Sequence, residues 1–312
     1  MQDLLQAPAP PLPAQTRLGT PTPWVVAGAA GAYILLGSLV EAVQLPLGLL
    51  WSQAFLFIAP LLLILRRHGF RPLSFLRADR LPSRPLLVLG TSASAFLCAS
   101  GMMGLLQALL PEKWVKAFDL TDVLSSQTGL WSALLYFAVV VGAPLAEETV
   151  FRGTLLPLLG ERLPMRWAVI WQAFFFSLIH ADPVGFVPRF VLGLAFGILW
   201  LKTGSLWSSI FAHALNNGIS SVLFLWLSGD AASEGSVTDL WYGGVVMLCG
   251  AAGLLLCLWR LAAMPTPPLP SRDPQTWALP WSSADLGRWL RRGLYATLLG
   301  LALVLAAWRY GR

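Results

Sequence analysis

Three charged side chains lie inside one long apolar segment of this chain. Glu147, Glu148 and Arg152 fall in a stretch that is otherwise apolar from about residue 130 to 159. Each ionised group costs a few kcal/mol at membrane depth, so such groups are functional by default. On a helix, Glu148 and Arg152 share a face and can form an ion pair. Glu147 points about 100° away and has no such partner, so it is the candidate for chemistry. The alternative is a purely structural ion cluster.

Two of the three histidines also lie in apolar segments. His180 ends one of them, whereas His213 and Asn217 share a helix face in another. Unpaired polar groups are costly in lipid, so these groups are expected to meet. A carboxylate can act as general base on water, and one imidazole can orient that water or protonate a leaving amine. A His–Asn pair can donate hydrogen bonds to an oxyanion. Singly, each group could instead be a hydrogen bond between helices.

The composition is that of a membrane protein. Of the 312 residues, 56% are hydrophobic and only 12% are charged, against about 25% charged in soluble proteins. The 15 Trp residues fit aromatic belts at membrane interfaces. The net charge of +6 is spread over short loops beside apolar spans, so no nucleic-acid partner is expected. Three cysteines lie in apolar runs without metal-binding spacing, and we interpret them as packing residues: Cys98, Cys249 and Cys257.

We predict an all-α, polytopic helical membrane protein with eight or nine transmembrane helices. Pro144, just before the acids, is predicted to kink or open its helix. Residues 1–23 form a Pro-rich tail predicted to be disordered, and residues 24–262 form the transmembrane domain with a catalytic core at about 130–227. A Pro-rich basic connector, 263–292, precedes a C-terminal helix at 293–312. The spans cover about residues 24–40, 45–65, 86–110, 130–159, 167–180, 186–201, 205–227, 241–261 and 293–308.

The distribution of positive charge predicts the orientation. Most of the 21 Lys and Arg residues fall in alternate loops that are cytoplasmic if the N-terminus is cytoplasmic. The start of the chain lacks a basic region followed by a short apolar run and a cleavage site, so we predict no cleaved signal peptide. We expect a multi-pass protein of a bacterial-type inner membrane. In the basic loop at 66–84, four apolar residues indicate that part of the loop lies on the membrane surface: Leu73, Phe75, Leu76 and Leu81.

Three short motifs resemble one known family. The sequence EETVFR at 147–152 fits an EExxxR pattern, Phe176 to His180 fits FxxxH, and His213 to Asn217 fits HxxxN. Their order on successive spans resembles the CAAX prenyl protease and bacteriocin-processing family, also called CPBP or Abi. The resemblance covers about residues 130–227.

The resemblance implies an intramembrane endopeptidase with an all-helical core. Glu147 would activate water with help from His180, and His213 and Asn217 would form the oxyanion site. Glu148 and Arg152 would brace the helix. The partners implied are the lipid bilayer and a membrane-embedded or lipid-anchored peptide or protein substrate.

Two questions stay open from the residues alone. Zinc could be bound by Glu147, His180 and His213, but no HExxH motif is present, and we favour a glutamate-type mechanism without a cofactor. The buried acids and histidines would also fit a proton-linked transporter, although no repeat between the two halves is evident. A third alternative is a non-catalytic immunity or scaffold protein that uses the same fold.

Overall fold

The protein is helical throughout the part of the chain that can be described. The computed structural model describes residues 44–67, 71–118, 124–160, 163–227 and 237–267. Within these ranges every regular element is a helix, which confirms the all-α class. The predicted tail, the first and last predicted spans and most of the connector lie outside the described residues.

Every predicted span that falls in the described ranges is a helix. The first is α1, made of Leu45–Trp51, a π-helical stretch Ser52–Ile58, and Ala59–Arg67. The others, with two short helices between them, are α2 (Pro72–Phe75), α3 (Pro85–Leu109), α4 (Glu112–Ala117), α5 (Gly129–Gly160), α6 (Met165–Leu178), α7 (Phe186–Thr203), α8 (Leu206–Leu227) and α9 (Val237–Ala262).

Five of the described helices are long and apolar enough to cross a membrane. They are Leu45–Leu63, Pro85–Leu109, Gly129–Gly160, Phe186–Thr203 and Leu240–Ala262. The predicted membrane-spanning class is therefore confirmed, whereas the number of eight or nine spans stays a prediction. α6 has only 14 residues, or about 21 Å at 1.5 Å per residue, against a hydrocarbon core of about 30 Å. α8 carries serines, asparagines and His213, which lower its hydropathy.

The chain divides into two compact units. One contains α1 and residues 128–138 at the start of α5. In this unit the buried Gln53, in the π-helical stretch of α1, donates a hydrogen bond from Nε2 to the carbonyl oxygen of Ala138 at 3.2 Å. The other contains residues 73–127 and 139–270, and it holds every residue of the candidate site.

The larger unit is built on close packing between α3 and α9. The two helices run antiparallel with glycines at their contacts, and a Cβ added at Gly101 or Gly250 would collide with the backbone of the other helix. Without side chains at these points the backbones approach closely, as small residues allow in membrane helices. Apolar side chains of α3, α7, α8 and α9 form the buried core beside this contact, among them Val88, Ala95, Ala99, Leu192, Phe196, Leu199, Ala212 and Leu254.

Replacing Gly250 by Ala is expected to destabilise the protein by about 1–3 kcal/mol, because the new methyl group would push α9 away from Cys98 of α3. Gly104 is the matched control, since a Cβ there meets nothing within 4 Å. Gly104→Ala is expected to be neutral or to stabilise by up to about 1 kcal/mol through helix propensity. Thermal unfolding in detergent checks both variants. Equal melting temperatures for the two would contradict the close α3–α9 contact.

The loop before α3 exposes some of its apolar side chains and buries others. Leu73 and Leu81 are exposed and available to a membrane surface, but Phe75 and Leu76 are buried in the protein. Leu76 lies against Gly153 of α5, where a Cβ would approach the Leu76 side chain to 2.6 Å. That part of this loop lies on the membrane surface stays a prediction, which Leu73 and Leu81 can serve and the buried Phe75 and Leu76 cannot. The apolar pattern alone cannot distinguish residues buried in the protein from residues that lie on the membrane surface.

The same loop fixes the junction between α7 and α8. The Leu206 backbone N–H donates to the carbonyl oxygen of Arg77 at 3.0 Å, and Trp207 Nε1 donates to that of Ala78 at 2.8 Å. The Arg77 guanidinium lies 4.4 Å from the ring centroid of Trp200, in α7. These contacts anchor the first turn of α8, the helix that carries His213.

Candidate active site

The segment of α5 that carries the acids lies between two π-helical stretches. Ala138–Gly142 and Phe151–Leu155 are π-helical, and Ala143–Val150 between them is α-helical. Such wide turns are frequent at functional sites. The predicted disturbance at Pro144 thus takes the form of a π-helical turn just before it, and the helix continues through the acids.

Asn217 completes the backbone hydrogen bonding of the first π-helical stretch. In a π helix the carbonyl of Val139 would accept from the N–H five residues on, but that residue is Pro144, which has none. Asn217 Nδ2 donates to the Val139 carbonyl oxygen at 2.9 Å instead. Asn217 Oδ1 in turn accepts from Asn216 Nδ2 at 3.2 Å. The amide therefore holds α8 to α5 and keeps one N–H for another acceptor.

Glu148 joins Arg152 to His213 in the protein interior. Its Oε1 accepts from Arg152 Nη1 at 2.7 Å and lies 2.8 Å from His213 Nδ1. The side chains of Glu148 and Arg152 are 0% exposed, and that of His213 is 6% exposed. The carboxylate can only accept when ionised, so Nδ1 carries the proton and Nε2 is directed away from Glu148. Besides pairing with Arg152 within α5, Glu148 sets the orientation of an imidazole on another helix.

Glu147 and His180 form a second, more accessible pair. Glu147 Oε2 lies 3.9 Å from His180 Nε2, and the two side chains are 13% and 27% exposed. His180 Nδ1 lies 2.8 Å from the carbonyl oxygen of Phe176, so it is the donor in that bond. Within the described part of the chain, Glu147 Oε2 has no hydrogen-bond partner. This carboxylate and the Nε2 of a neutral His180 thus present two acceptors to the same small space.

Phe176 connects the two pairs. Its ring centroid lies 5.3 Å from that of His180 and 5.6 Å from that of His213. The Arg152 guanidinium lies 4.3 Å from the same ring centroid, within the range of a cation–π contact. Phe176 is buried, as expected of a packing residue, and its ring lies between the Glu148 network and the Glu147–His180 pair.

Two residues that were absent from the sequence predictions belong to the network. Gln172 Nε2 donates to the carbonyl oxygen of Gly193 at 2.9 Å, and Arg152 Nη2 donates to the same oxygen at 3.1 Å. Gly193 lets α7 approach α6, since a Cβ there would lie 3.0 Å from Ala173. A signal for Gln172 was present, because it lies four residues before Phe176 on the face that bears His180.

All six predicted site residues are described, and the structure brings them together in two linked groups. One group holds Glu148, Arg152 and His213, and the other holds Glu147 and His180; Asn217 lies one helical turn from His213. In the described ranges no three His, Cys, Asp or Glu side chains are arranged to hold a metal ion. Nδ1 of His213 is engaged by Glu148, so a shared metal would have to use its Nε2. The catalytic and metal assignments stay predictions.

The fold and this site define a helical membrane protein with a buried ionisable centre. Residues 129–219 match the model of the family described as Type II CAAX prenyl endopeptidase Rce1-like. This segment contains all three motifs, so the resemblance that they indicated is confirmed over these residues. The match ends within α8, and the flanking helices lie outside it.

One curated relative supports the same class. Over 84 residues the chain is 29% identical to a protein of Bacillus subtilis (strain 168) named "Putative membrane peptidase YdiL". The alignment covers 27% of this chain and 34% of the relative, so the chain spans about a third of the curated relative's length. No solved structure matches the chain. The two matches are to a family of CAAX prenyl endopeptidases and to a protein named as a membrane peptidase.

Proposed function

We propose that this protein is an intramembrane endopeptidase that hydrolyses a peptide bond with water activated by Glu147. The observation that carries the proposal is the Glu147–His180 pair, which is partly exposed beside a fully buried Glu148–Arg152 pair. Oε2 of both carboxylates lacks a hydrogen-bond partner in the described ranges, but Glu148 is held through Oε1 by Arg152 and His213, whereas Glu147 has only its long contact to His180.

The geometry of the pair suits a single water molecule. A separation of 3.9 Å between Glu147 Oε2 and His180 Nε2 is too long for a direct hydrogen bond. Both atoms are acceptors when His180 is neutral with its proton on Nδ1, so a water between them can donate one hydrogen to each. Its oxygen lone pairs then stay free to attack a carbonyl carbon.

The proposed reaction moves one proton and breaks one C–N bond. Glu147 takes a proton as the water oxygen bonds to the peptide carbonyl carbon, which gives a tetrahedral oxyanion. Collapse of this intermediate restores the carbonyl group and expels the amine, which leaves with the proton that Glu147 took from the water, passed on either directly or through Nε2 of His180. Proton transfers of this kind contribute about 10²–10⁴ in rate.

His213 and Asn217 are proposed to stabilise the oxyanion. Because Nδ1 of His213 already donates to Glu148, Nε2 can donate only when the ring is doubly protonated. The second N–H of the Asn217 amide remains available beside the bond to Val139.

The substrate is proposed to be a membrane-embedded or lipid-anchored peptide or protein. An apolar groove of about 340 Å³ runs along α8 from the residue after His213, which suits a substrate with an apolar segment next to the scissile bond. It is lined by Ala214, Leu215, Gly218, Ile219, Val222 and Leu223. We place the protein in a bacterial-type inner membrane with a cytoplasmic N-terminus, in line with its positive loops.

The proposed mechanism is of the glutamate type, so strong chelation is expected to leave activity unchanged. Purified protein treated with EDTA or 1,10-phenanthroline and then desalted should retain its turnover within about twofold. Metal analysis of the same sample is the companion measurement. Stoichiometric zinc that is lost together with activity, and restored with it, would overturn the metal-free mechanism.

Comparative proteomics of membranes from wild-type and Glu147→Gln cells tests the proposed function. At least one membrane-associated protein should carry an uncut terminus only in the variant, and the purified wild-type protein should cleave that terminus in detergent. If termini are identical in the two strains, while liposomes show proton-coupled transport that Glu147→Gln abolishes, the transporter alternative replaces the protease.

A further inference from the structure

Two arginines meet where α3 begins and α9 ends. Along the antiparallel contact Gly101 faces Met247, Gly250 faces Cys98, and Gly90 faces Cys257. Continued by one further turn, this register places the last turn of α9 beside the first turn of α3. Arg84 is the N-cap residue of α3, and Arg260 lies in the last turn of α9.

The two side chains line one pocket. It has a volume of about 540 Å³ and is lined by Arg84, Pro85, Leu86, Leu87 and Arg260. Leu86 is 82% exposed, and Trp259, next to Arg260, is 63% exposed. Trp is enriched where a membrane meets water. The pocket is therefore basic at its polar end, with large apolar side chains exposed beside it.

No carboxylate of the described residues compensates the positive charge in this pocket, although the Arg260 guanidinium lies 5.1 Å from the ring centroid of Trp259. No Asp or Glu in the described ranges forms an ion pair with Arg84 or Arg260. α3 has no acidic residue in its first turn and no side-chain N-cap. A helix N-terminus carries partial positive charge, so a cation at the N-cap is unfavourable unless an anion is nearby. Arg260 complements the C-terminus of α9, but this does not account for Arg84.

We propose that this pocket binds the headgroup of an anionic phospholipid. The phosphodiester would accept hydrogen bonds from both guanidinium groups, and an acyl chain would extend over the exposed Leu86. Basic pockets between membrane helices bind such headgroups, and guanidinium groups bind phosphate oxygens in pairs. The exposed apolar side chains beside the pocket favour a lipid over free phosphate, which has no apolar part to bury.

The test measures binding of phosphatidylglycerol to the delipidated full-length protein in detergent, by native mass spectrometry with phosphatidylcholine as the neutral lipid. The variant is Arg84→Gln with Arg260→Gln. The matched control is Arg80→Gln with Arg166→Gln, which removes the same charge from two exposed arginines outside the pocket. We expect the apparent Kd for phosphatidylglycerol to rise on the order of tenfold in the pocket variant and by less than twofold in the control.

Three outcomes would overturn the site: an unchanged Kd in the pocket variant, equal weakening in both variants, or displacement of the lipid by millimolar inorganic phosphate. Should the pocket variant fail to fold, the wild-type protein decides the matter. Phosphatidylglycerol with a photoreactive acyl chain should crosslink to peptides from residues 84–89 and 255–260. Labelling spread evenly over the exposed helices would contradict the proposal.

Discussion

Glu147→Gln is expected to lower the rate of peptide-bond cleavage by about 10²–10⁴ while leaving the fold intact. The amide keeps the size of the side chain but cannot accept the proton of the attacking water. Glu147 is partly exposed, and no ion pair with Arg152 depends on it, so little stability should be lost. The measurement is the turnover of a substrate found by the proteomic comparison, with purified protein at equal concentration.

Glu112→Gln is the matched control for this variant. Glu112 lies on α4 in an exposed ion pair with Lys116 at 2.5 Å, four residues apart, and removing its charge changes the protein's net charge by the same amount. Its turnover should match that of the wild type. If Glu147→Gln cleaves at the wild-type rate, Glu147 is not the base. If it melts far below the wild type, the residue has a structural role.

Arg152→Met is expected to destabilise the protein by about 3–5 kcal/mol, because it leaves the Glu148 carboxylate buried with only His213 as a partner. Arg152 also donates to the Gly193 carbonyl oxygen and lies over Phe176. The loss should therefore exceed the cost of one ordinary hydrogen bond. Thermal unfolding and the half-life of activity on heating both measure it.

A double variant separates stability from positioning. Glu148→Leu with Arg152→Met removes both buried charges, and the stability should recover part of the way towards the wild type. Activity should stay low, because His213 loses the carboxylate that orients it. Lys116→Gln, which breaks the exposed pair at the same spacing, should hardly change the melting temperature. A double variant with full turnover would show that Glu148 only braces α5.

The helices of this fold could be predicted because their signals are local. Apolar runs of about 20 residues predicted α3, α7 and α9 to within a few residues, and these helices follow directly from the cost of unpaired backbone groups in lipid. α6 was predicted as a span but has 14 residues. The chain turns after Leu178, and Ala181 adopts a left-handed φ of 51°. The sequence does signal this end, because Asp182, Pro183 and Gly185 follow it, and the span predicted at about 167–180 has the same length as α6 and ends within two residues of it.

Most residues of the candidate site could be predicted, but the hydrogen bonds and ion pairs between them could be predicted only in part. Spacing within one helix identified the Glu148–Arg152 pair, since residues four apart share a face. The bond from His213 to Glu148 joins residues 65 apart, and it depends on how α8 is rotated against α5. Gly193 was missed for a similar reason, because a backbone carbonyl that accepts from side chains of two helices has no sequence signature.

The two π-helical stretches of α5 set the direction in which its acids point around the helix axis. That direction depends on how many residues each stretch contains and not on which side chains they carry. Each wide turn is an α-helical turn with roughly one extra residue, and Ala143–Val150 lies between two of them. Deleting a single valine from the first stretch would restore an ordinary turn and rotate this eight-residue block by about 100° about the helix axis. Both carboxylates would then face new neighbours with no side chain exchanged, so insertions and deletions here are a route by which such a centre could be gained or lost.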